Sequence, residues 1–361
     1  MSRAVGARDV ARRCVTVPLL VALIPVAAAL LLVTVVLAPL SLLAGRSGRR
    51  WQPQRLALYV LVYLCADLAG VLAAGVVRLR CLGGGRAGEE RLLTLNYRVL
   101  ARLLDFLVRC SGRIFSLRVE VDPRIPSRTD RPRDGIVVFA RHAGPGDSIL
   151  LVHGLLCGAG LRPQVVLKQF LRWDPCLDIV LSRLPHCFVP HRAEAGSETA
   201  DAIGALAAAL HPGEALVVFP EGGNFTERRR RRAIGWLNRT GQARRAARAR
   251  RQHHVLPPRM EGSLAALSGA ADAGAEVVFV AHTGLDQIDS LSRLLPSIPL
   301  RTPVRATWWR VPDHAIPTGR QARESWLTDQ WSRVDAWIAQ EWSGPAPIPP
   351  AGPRTPEAPL S

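Results

Sequence analysis

The chain has 361 residues, of which 48% are hydrophobic, and this is ample for one large core and additional apolar segments. Its formal net charge is +18 and comes almost entirely from arginine, because Lys168 is the only lysine. An excess of this size indicates an anionic partner, either nucleic acid or an anionic lipid surface. The seven cysteines are scattered without a CxxC pair, so a metal cluster is not expected and reduced thiols on the cytosolic side are predicted.

Two long apolar runs lie near the N-terminus, at residues 17–44 and 56–77. The first contains no charge and exceeds the roughly 20 residues needed to cross a bilayer. It is also longer than the apolar region of a secretory signal, which has about 7–15 residues. The sequence therefore predicts membrane attachment, through either two spanning helices or a hairpin inserted into one leaflet. Arginines flank both runs, so their distribution does not choose between these alternatives.

A basic region in the second half of the chain begins with five arginines at residues 228–232. It continues with Arg244, Arg245, Arg248, Arg250 and Arg251. These residues form either a solvated face of a helix or a patch that binds phospholipid headgroups. No aromatic residues interleave the arginine run, so nucleic acid is not the predicted partner.

From residue 118 onward, short apolar runs alternate with helical sequence. Strands are expected at residues 135–140, 164–167, 187–190, 215–219 and 276–281. This alternation predicts an α/β fold with a mostly parallel sheet flanked by helices, preceded by the N-terminal apolar hairpin. The predicted domains are membrane segments in residues 1–85, a catalytic domain in residues 86–343 and a disordered proline-rich tail in residues 344–361.

Three helices are predicted in the catalytic domain. An amphipathic helix at residues 92–108 leads into it, and a helix at 197–210 has Ser197 as its expected N-cap. A third helix, at residues 320–342, carries four tryptophans. These tryptophans are expected either to pack against the core or to form a face at the membrane interface.

His142 and Asp147 are the first candidate catalytic residues. The predicted strand at 135–140 places His142 at the exit of a buried strand, where a near-neutral imidazole can take a proton from a hydroxyl. A carboxylate five residues later can fix the tautomer and stabilise the imidazolium. The pair has no nucleophile of its own, so the attacking hydroxyl is expected to come from a substrate. This pattern predicts a transferase.

The second candidate element is the Phe-Pro-Glu-Gly sequence at residues 219–222, which ends another predicted strand. The turn is expected to expose Glu221 and nearby backbone N–H groups to a ligand. The acidic side chain can bind a polyol hydroxyl, and the amides can hold phosphate. Because ligands gather at the carboxyl ends of parallel strands, both elements are predicted to belong to one site.

These elements, in this order and at this separation, resemble the glycerolipid acyltransferases of the lysophosphatidic acid acyltransferase family. The first family motif, His-x4-Asp, matches His142 and Asp147. The third, Phe-Pro-Glu-Gly-Thr-Arg, matches residues 219–222 and departs from the family at Gly223 and Asn224. The second, an apolar strand ending in arginine, has a counterpart that ends at Arg192.

The sequence downstream resembles one branch of this family. Asn224-Phe-Thr-Glu227 and the Leu-Pro-Pro-Arg sequence that ends at Arg259 are similar to the signatures of acyltransferases for lysophosphatidate and other lysophospholipids. The resemblance spans roughly residues 118–291.

The resemblance implies direct acyl transfer from acyl-CoA or acyl carrier protein to a lysolipid hydroxyl, with no cofactor, metal or covalent intermediate. His142 would be the general base and Asp147 would orient it. The residues expected to place the acceptor or bind phosphate are Glu221, Gly222, Gly223, Arg192, Lys168, Asn224 and Arg259.

Two of these positions leave alternatives open. Asn224 stands where the family usually has an arginine associated with the acceptor phosphate. Either Arg192, Arg228 or Arg259 replaces that arginine, or the acceptor carries a different headgroup. Lys168 is either a phosphate ligand or an exposed loop lysine.

The predicted function is that of a membrane-bound O-acyltransferase with its catalytic domain on the cytoplasmic side of the cell membrane. The expected acceptor is 1-acyl-sn-glycerol 3-phosphate, which would give phosphatidic acid. Membrane phospholipid, lysophospholipid and acyl-CoA are the expected partners. The alternatives are an acyltransferase for another lysophospholipid or a glycolipid, and a non-catalytic scaffold that binds anionic lipid.

Overall fold

The computed structural model describes most of the chain. The described residues are 6–39, 51–126, 135–144, 146–189, 196–286, 288 and 295–343, without the side chains of residues 167–170, 187–189 and 196–197. Pro145, Arg192, the arginine-rich link at residues 46–50 and the predicted tail at 344–361 lie outside these residues.

Seven strands form one sheet, whose order is β1-β7-β6-β2-β5-β3-β4. The strands are β1 Val119–Val121, β2 Ile136–Ala140, β3 Arg162–Lys168, β4 His186–Val189, β5 Glu214–Val218, β6 Glu276–Thr283 and β7 Val304–Val311. Strands β6, β2, β5, β3 and β4 are parallel, whereas β7 is antiparallel to β6 and pairs in parallel with β1. The mostly parallel sheet flanked by helices is therefore confirmed.

All five predicted strands are present, but the sequence prediction missed β1 and β7. Strand β7 carries Arg305 and Arg310, both exposed, and these residues interrupt the apolar run by which a buried parallel strand is recognised. Lys168 was expected just past its strand and is instead the last residue of β3, paired with Val189.

Ten helices of seven residues or more occur in the described part of the chain. They are α1 Ala7–Val36, α2 Gln52–Arg80, α3 Gly85–Phe115, α4 Asp147–His153, α5 Pro175–Leu181, α6 Gly196–Ala208, α7 Glu227–Arg239, α8 Ala243–Arg251, α9 Met260–Asp272 and α10 Arg320–Ser343. The prediction of Ser197 as an N-cap was wrong, because α6 begins one residue earlier, at Gly196.

Alternating side chains divide the sheet into two buried faces. On one face, Phe139 and Phe279 stack at 5.6 Å and pack in a core that includes side chains of α6, α9 and α10. On the other face, Val138 and Val217 pack with residues of the α4 region and the start of β3. Both faces are covered, as the apolar strand sequences require.

The four tryptophans of α10 pack mainly against the protein. Trp331 is fully buried and its Nε1 donates a hydrogen bond to the Leu256 carbonyl at 3.0 Å. Trp326 and Trp337 pack against the same core. Trp342 is 50% exposed, but its Nε1 donates to Thr283 Oγ1 at 2.7 Å. Packing against the core is therefore the correct alternative.

Helices α1 and α2 form the N-terminal hairpin, and both are long and apolar enough to cross a membrane by length and composition. Helix α1 begins ten residues before the predicted apolar run because its charged first turns are paired. Arg12 and Arg13 bind the buried carboxylate of Asp178 on α5, each at 2.7 Å. Ion pairs therefore tie the start of the hairpin to the catalytic domain.

Candidate active site

Two loops meet at the carboxyl edge of the sheet. Strand β2 ends at Ala140 and β5 at Val218, and these two strands are parallel neighbours. The loops that follow them therefore emerge side by side. A backbone hydrogen bond joins them directly, because the Phe225 N–H donates to the His142 carbonyl at 2.7 Å. The structure thus brings together the two sequence elements that were expected to form one site.

His142 and Asp147 form a hydrogen-bonded pair. His142 Nδ1 lies 3.0 Å from Asp147 Oδ1 and 2.9 Å from Oδ2. A carboxylate accepts hydrogen bonds, so Nδ1 carries the proton and Nε2 presents its lone pair. The imidazole is 17% exposed, whereas the Asp147 side chain is 1% exposed. This geometry gives His142 the tautomer that a general base needs.

Backbone amides hold the Asp147 carboxylate in place. The N–H groups of Ala143, Gly144 and Ser148 donate to it at 2.7, 3.1 and 2.6 Å. Burial opposes ionisation of Asp147, but it is outweighed by the hydrogen bond to His142, the positive charges of His142 and His282 when these are protonated, and the Gly144 amide. Together they hold the pKa of this carboxyl below its usual value. The loop therefore presents a fixed negative charge to His142.

Glu221 lies inside the protein and not at the ligand surface that the sequence predicted. Its residue is 4% exposed, and its two oxygens accept hydrogen bonds from the His142 N–H at 2.9 Å and the Leu256 N–H at 2.8 Å. The Pro-Glu-Gly turn directs the carboxyl into the space between these two segments. The expectation of an exposed Glu221 was therefore wrong, and its contacts are those of a residue that positions the His142 backbone.

A second buried pair, an ion pair, involves the residue immediately before His142. The Arg141 guanidinium is fully buried and forms an ion pair with Asp286. It also donates to the carbonyls of His254 and His282. The sequence analysis missed this pair, although an arginine at the end of a fully apolar strand indicates a buried acidic partner. No signal in the sequence identified Asp286 as that partner.

The predicted acceptor residues lie around the Pro-Glu-Gly turn. Gly222 is exposed and has a φ of +66°, and a Cβ there would come within 2.5 Å of Arg259 Nε. The exposed Arg259 side chain therefore lies over Gly222. The Arg259 backbone N–H donates to the Pro220 carbonyl at 2.8 Å. Gly223 is buried, and Asn224 is partly buried and accepts a bond from Arg229 through its carbonyl. Gly222 and Arg259 form the accessible part of this group.

The basic region is less uniform than the sequence indicated. Arg230 is buried and donates to the carbonyls of Gln252 and Arg250 at 2.6 and 2.8 Å, so it caps the end of α8. Arg248 pairs with Asp329 at 2.9 Å. The remaining exposed arginines of α7 and α8 form what we call the arginine surface. Its members are Arg228, Arg229, Arg231, Arg232, Arg239, Arg244, Arg250 and Arg251.

An apolar cavity of about 140 Å³ begins at Asp147. Asp147 and His282 contribute to its lining, and the remaining lining is mainly aliphatic side chains from β1, β2, β6, β7 and the α4 region. Across the β6–β7 ladder, His282 pairs with Ala306 and Val280 with Trp308. The cavity therefore extends from the carboxyl end of β6 toward its start.

Comparisons with known proteins bear on this arrangement. A protein-family model described as Acyltransferase matches residues 118–261, which include both loops of the site. This part of the chain is similar to the acyltransferase family. The match confirms the predicted enzyme class, acyltransferase, and the family indicated by His142, Asp147 and the sequence at 219–222.

A solved structure that resembles the chain is that of the 1-acyl-sn-glycerophosphate (LPA) acyltransferase PlsC from Thermotoga maritima. The two are 18% identical, the similarity covers 80% of this chain and 97% of that chain, and the TM-score is 0.48. No significant match was found among curated proteins.

Burial of Glu221 predicts a specific pH dependence of stability. Burial is the largest influence on this group and raises its pKa from 4.5 to about 8. Between these values the folded protein holds a proton that the unfolded chain releases, so stability falls as pH rises, by at most about 1.4 kcal/mol per pH unit. We expect Glu221→Gln to flatten this dependence in urea unfolding measured from pH 5 to 8. The exposed Glu261→Gln variant is the matched control, and equal slopes in wild type and Glu221→Gln would contradict the prediction.

Proposed function

We propose that the protein is a membrane-bound O-acyltransferase that moves an acyl group from acyl-CoA or acyl carrier protein to the free hydroxyl of a lysophospholipid. The proposed acceptor is 1-acyl-sn-glycerol 3-phosphate, and the product is phosphatidic acid. The observation that carries this proposal is the His142–Asp147 pair, which has the geometry of a general base and whose Asp147 lines an apolar cavity.

The reaction follows from the protonation state of the pair. His142 Nε2 takes the proton of the acceptor hydroxyl while the oxygen attacks the thioester carbonyl carbon. Asp147 stabilises the imidazolium through Nδ1. The tetrahedral intermediate collapses, the C–S bond breaks, and the leaving thiolate takes the proton from Nε2. An O-acyl ester and a free thiol are formed, and His142 returns to its neutral state.

The apolar cavity supports an acyl substrate. Its lining carries few polar groups, and those nearest the catalytic pair are Asp147 and His282. An acyl chain in this space would leave its reactive end at the carboxyl edge of the sheet, next to His142. Each buried methylene contributes about 0.8 kcal/mol, so the cavity supplies binding energy that depends on chain length.

Arg259 and Gly222 support an acidic acceptor. The guanidinium lies over the turn that follows β5, where the glycine leaves the backbone accessible. A guanidinium binds phosphate through charge-assisted hydrogen bonds. The related family usually has a phosphate-associated arginine at the position of Asn224. We assign the role of that arginine to Arg259. Arg192 and the Lys168 side chain lie outside the described residues and remain sequence predictions.

Contacts of α2 support a hairpin in one leaflet over two spanning helices. Near its start, Gln52 Nε2 donates to the Ile298 carbonyl at 2.8 Å. Near its end, the Ala74 carbonyl accepts from Arg183 at 2.7 Å. These positions are 22 residues apart, or about 33 Å along a helix. A spanning α2 would place parts of the catalytic domain on both sides of a hydrocarbon layer about 30 Å thick.

Helix α1 is the element that we assign to the lipid. It packs along α2, and its far end is held by Gln54 Nε2, which donates to the Thr34 carbonyl at 2.6 Å. Large apolar side chains along its outer side are exposed, including Val26 at 61% and Leu32 at 63%. Insertion of this face to the depth of the headgroup–acyl boundary would bury them. The arginine surface, with Trp236 at 52% exposure, would add attraction to anionic headgroups.

The alternatives differ in chemistry. An acceptor with a phosphodiester or sugar headgroup would agree with Asn224, whereas phosphate recognition by Arg259 favours lysophosphatidate. A non-catalytic scaffold would use the hairpin and the arginine surface alone. The tautomer of His142 imposed by Asp147 favours catalysis over this scaffold.

Removal of the base tests the proposed reaction. We expect His142→Ala to reduce acyl transfer by roughly 10²–10⁴-fold, because the attacking hydroxyl loses its proton acceptor. CoA release by purified protein would be measured with lysophosphatidate, other lysophospholipids and a glycolipid, and membrane binding by vesicle flotation. Binding should be unchanged in the variant. Turnover of the variant at the wild-type rate would exclude His142 as the base, and absence of wild-type turnover with every acceptor would favour the scaffold.

The cavity predicts control of chain length by Trp308. Its ring occupies the lining opposite Val280, and its Nε1 donates to the Pro123 carbonyl at 2.8 Å. We expect Trp308→Ala to raise kcat/KM for longer acyl donors relative to shorter ones by roughly fourfold per methylene gained. Trp309→Ala is the matched control, because Trp309 stacks on Phe279 on the opposite face. Equal chain-length profiles in Trp308→Ala and wild type would place the acyl chain elsewhere.

The one-leaflet hairpin predicts the location of the link between α1 and α2. An Arg49→Cys variant should react with a membrane-impermeant maleimide only from the side on which Arg239→Cys, on α7, also reacts. Right-side-out and inverted vesicles would be labelled in parallel, and the modified peptide identified by mass spectrometry. Labelling of the two positions from opposite sides would establish spanning helices.

A further inference from the structure

His282 is a buried histidine next to the catalytic pair that the proposed reaction does not use. It lies on β6, where Val278, Val280 and His282 alternate toward the cavity. It is therefore the polar end of an otherwise aliphatic row, at the edge of the sheet where His142 emerges. A histidine in this position requires hydrogen-bond partners or a functional reason.

Two reciprocal hydrogen bonds join His282 to Arg141. The His282 Nε2 lies 2.9 Å from the Arg141 carbonyl, and the Arg141 guanidinium donates to the His282 carbonyl at 2.9 Å. A carbonyl can only accept, so Nε2 carries the proton. His282 Nδ1 is buried and has no hydrogen-bond partner among the described residues. The ring therefore holds the peptide immediately before His142.

The same protonated edge faces Asp147. His282 Nε2 is 3.8 Å from Asp147 Oδ2, which is too long for a hydrogen bond but close enough for an electrostatic effect in a buried site. The other charged groups that face the imidazole are Arg141 and Asp286. Burial dominates over the two carboxylates and lowers the pKa of His282, so the ring is neutral near pH 7.

We propose that His282 is a positioning residue for acyl transfer: its imidazole fixes the Arg141–His142 peptide, and its Nε2–H, 3.8 Å from Asp147, offsets part of the carboxylate charge that acts on His142. This inference rests on the proposed function of His142 as the general base. Asp147 is then shared by two imidazoles with different tasks. His142 accepts the substrate proton, and His282 fixes the backbone before His142 and offsets part of the Asp147 charge.

Removal of His282 should therefore shift the pH profile of kcat/KM as well as lower the activity. Without the His282 dipole, the Asp147 charge would act more fully on His142 and stabilise its imidazolium. The acid limb of the kcat/KM profile should move to higher pH by roughly half a unit. The loosened Arg141 carbonyl should also lower kcat by about tenfold through misplacement of His142.

The test compares His282→Ala with His282→Gln, whose side-chain amide can donate to the Arg141 carbonyl. CoA release would be measured from pH 5.5 to 9 with saturating donor and varied acceptor. We expect the acid-limb shift and the loss of kcat in His282→Ala, acceptor KM within about twofold of wild type, and recovery toward the wild-type profile in His282→Gln. His254→Gln is the matched control, because its imidazole packs on Trp342 and its backbone contact to Arg141 is retained.

Other outcomes distinguish a failure of the His282 inference from a failure of the proposed function. An unchanged acid limb in His282→Ala, with activity lost only in proportion to unfolded protein in a thermal melt, would show a purely structural role and overturn the inference. A raised acceptor KM with an unchanged limb would also overturn it, because His282 would then contact substrate. His142→Ala is assayed alongside. Full activity of that variant, or no turnover by wild type, would be a failure of the proposed function itself.

Discussion

The hydrogen bonds of the Glu221 carboxylate are the constraint on which the site depends. One oxygen binds the His142 N–H and the other binds the Leu256 N–H. A buried carboxyl between two loops is costly unless its oxygens are satisfied, so the loops are fixed relative to each other. The Leu256 carbonyl is in turn held by Trp331 of α10. Glu221 therefore links the His142 backbone to a segment that the hydrophobic core holds in place.

Buried groups of both charge signs surround the Glu221 carboxyl, and their charges partly offset one another. The charges of Arg141 and Asp147 both act on Glu221, and Asp286 is the ion-pair partner of Arg141. Arg141 lowers the pKa of Asp286 against its burial, whereas burial dominates at Glu221 and raises its pKa. The acidic groups therefore differ in protonation at neutral pH because their environments differ. Because Glu221 is protonated and Asp286 is paired with Arg141, the negative charge of Asp147 acts mainly on His142.

The sequence predicted the parts of the site that depend on local order along the chain. His142 and Asp147 are five residues apart in one loop, and the buried strand before them was recognisable from its apolar run. Glu221 was correctly placed near His142, but its exposure was wrong because a turn sequence does not reveal which way a carboxyl points. Asp286 and His282 lie some 140 residues from Arg141, so only the pairing of β2 with β6 brings them together. Such contacts depend on sheet topology and not on spacing.

The N-terminal hairpin is connected to the apolar cavity through the segment that precedes β7. Gln52, at the start of α2, donates to the Ile298 carbonyl, and the Leu300 N–H donates to the Phe115 carbonyl at the end of α3. The segment so anchored leads into β7 at Val304, and β7 supplies Ala306 and Trp308 to the cavity. A lipid surface bound by α1 would therefore lie on the side of the molecule where β7 lines the cavity. For the proposed acyl donor and acceptor, which both carry long apolar chains, this arrangement would shorten the path over which those chains leave the lipid.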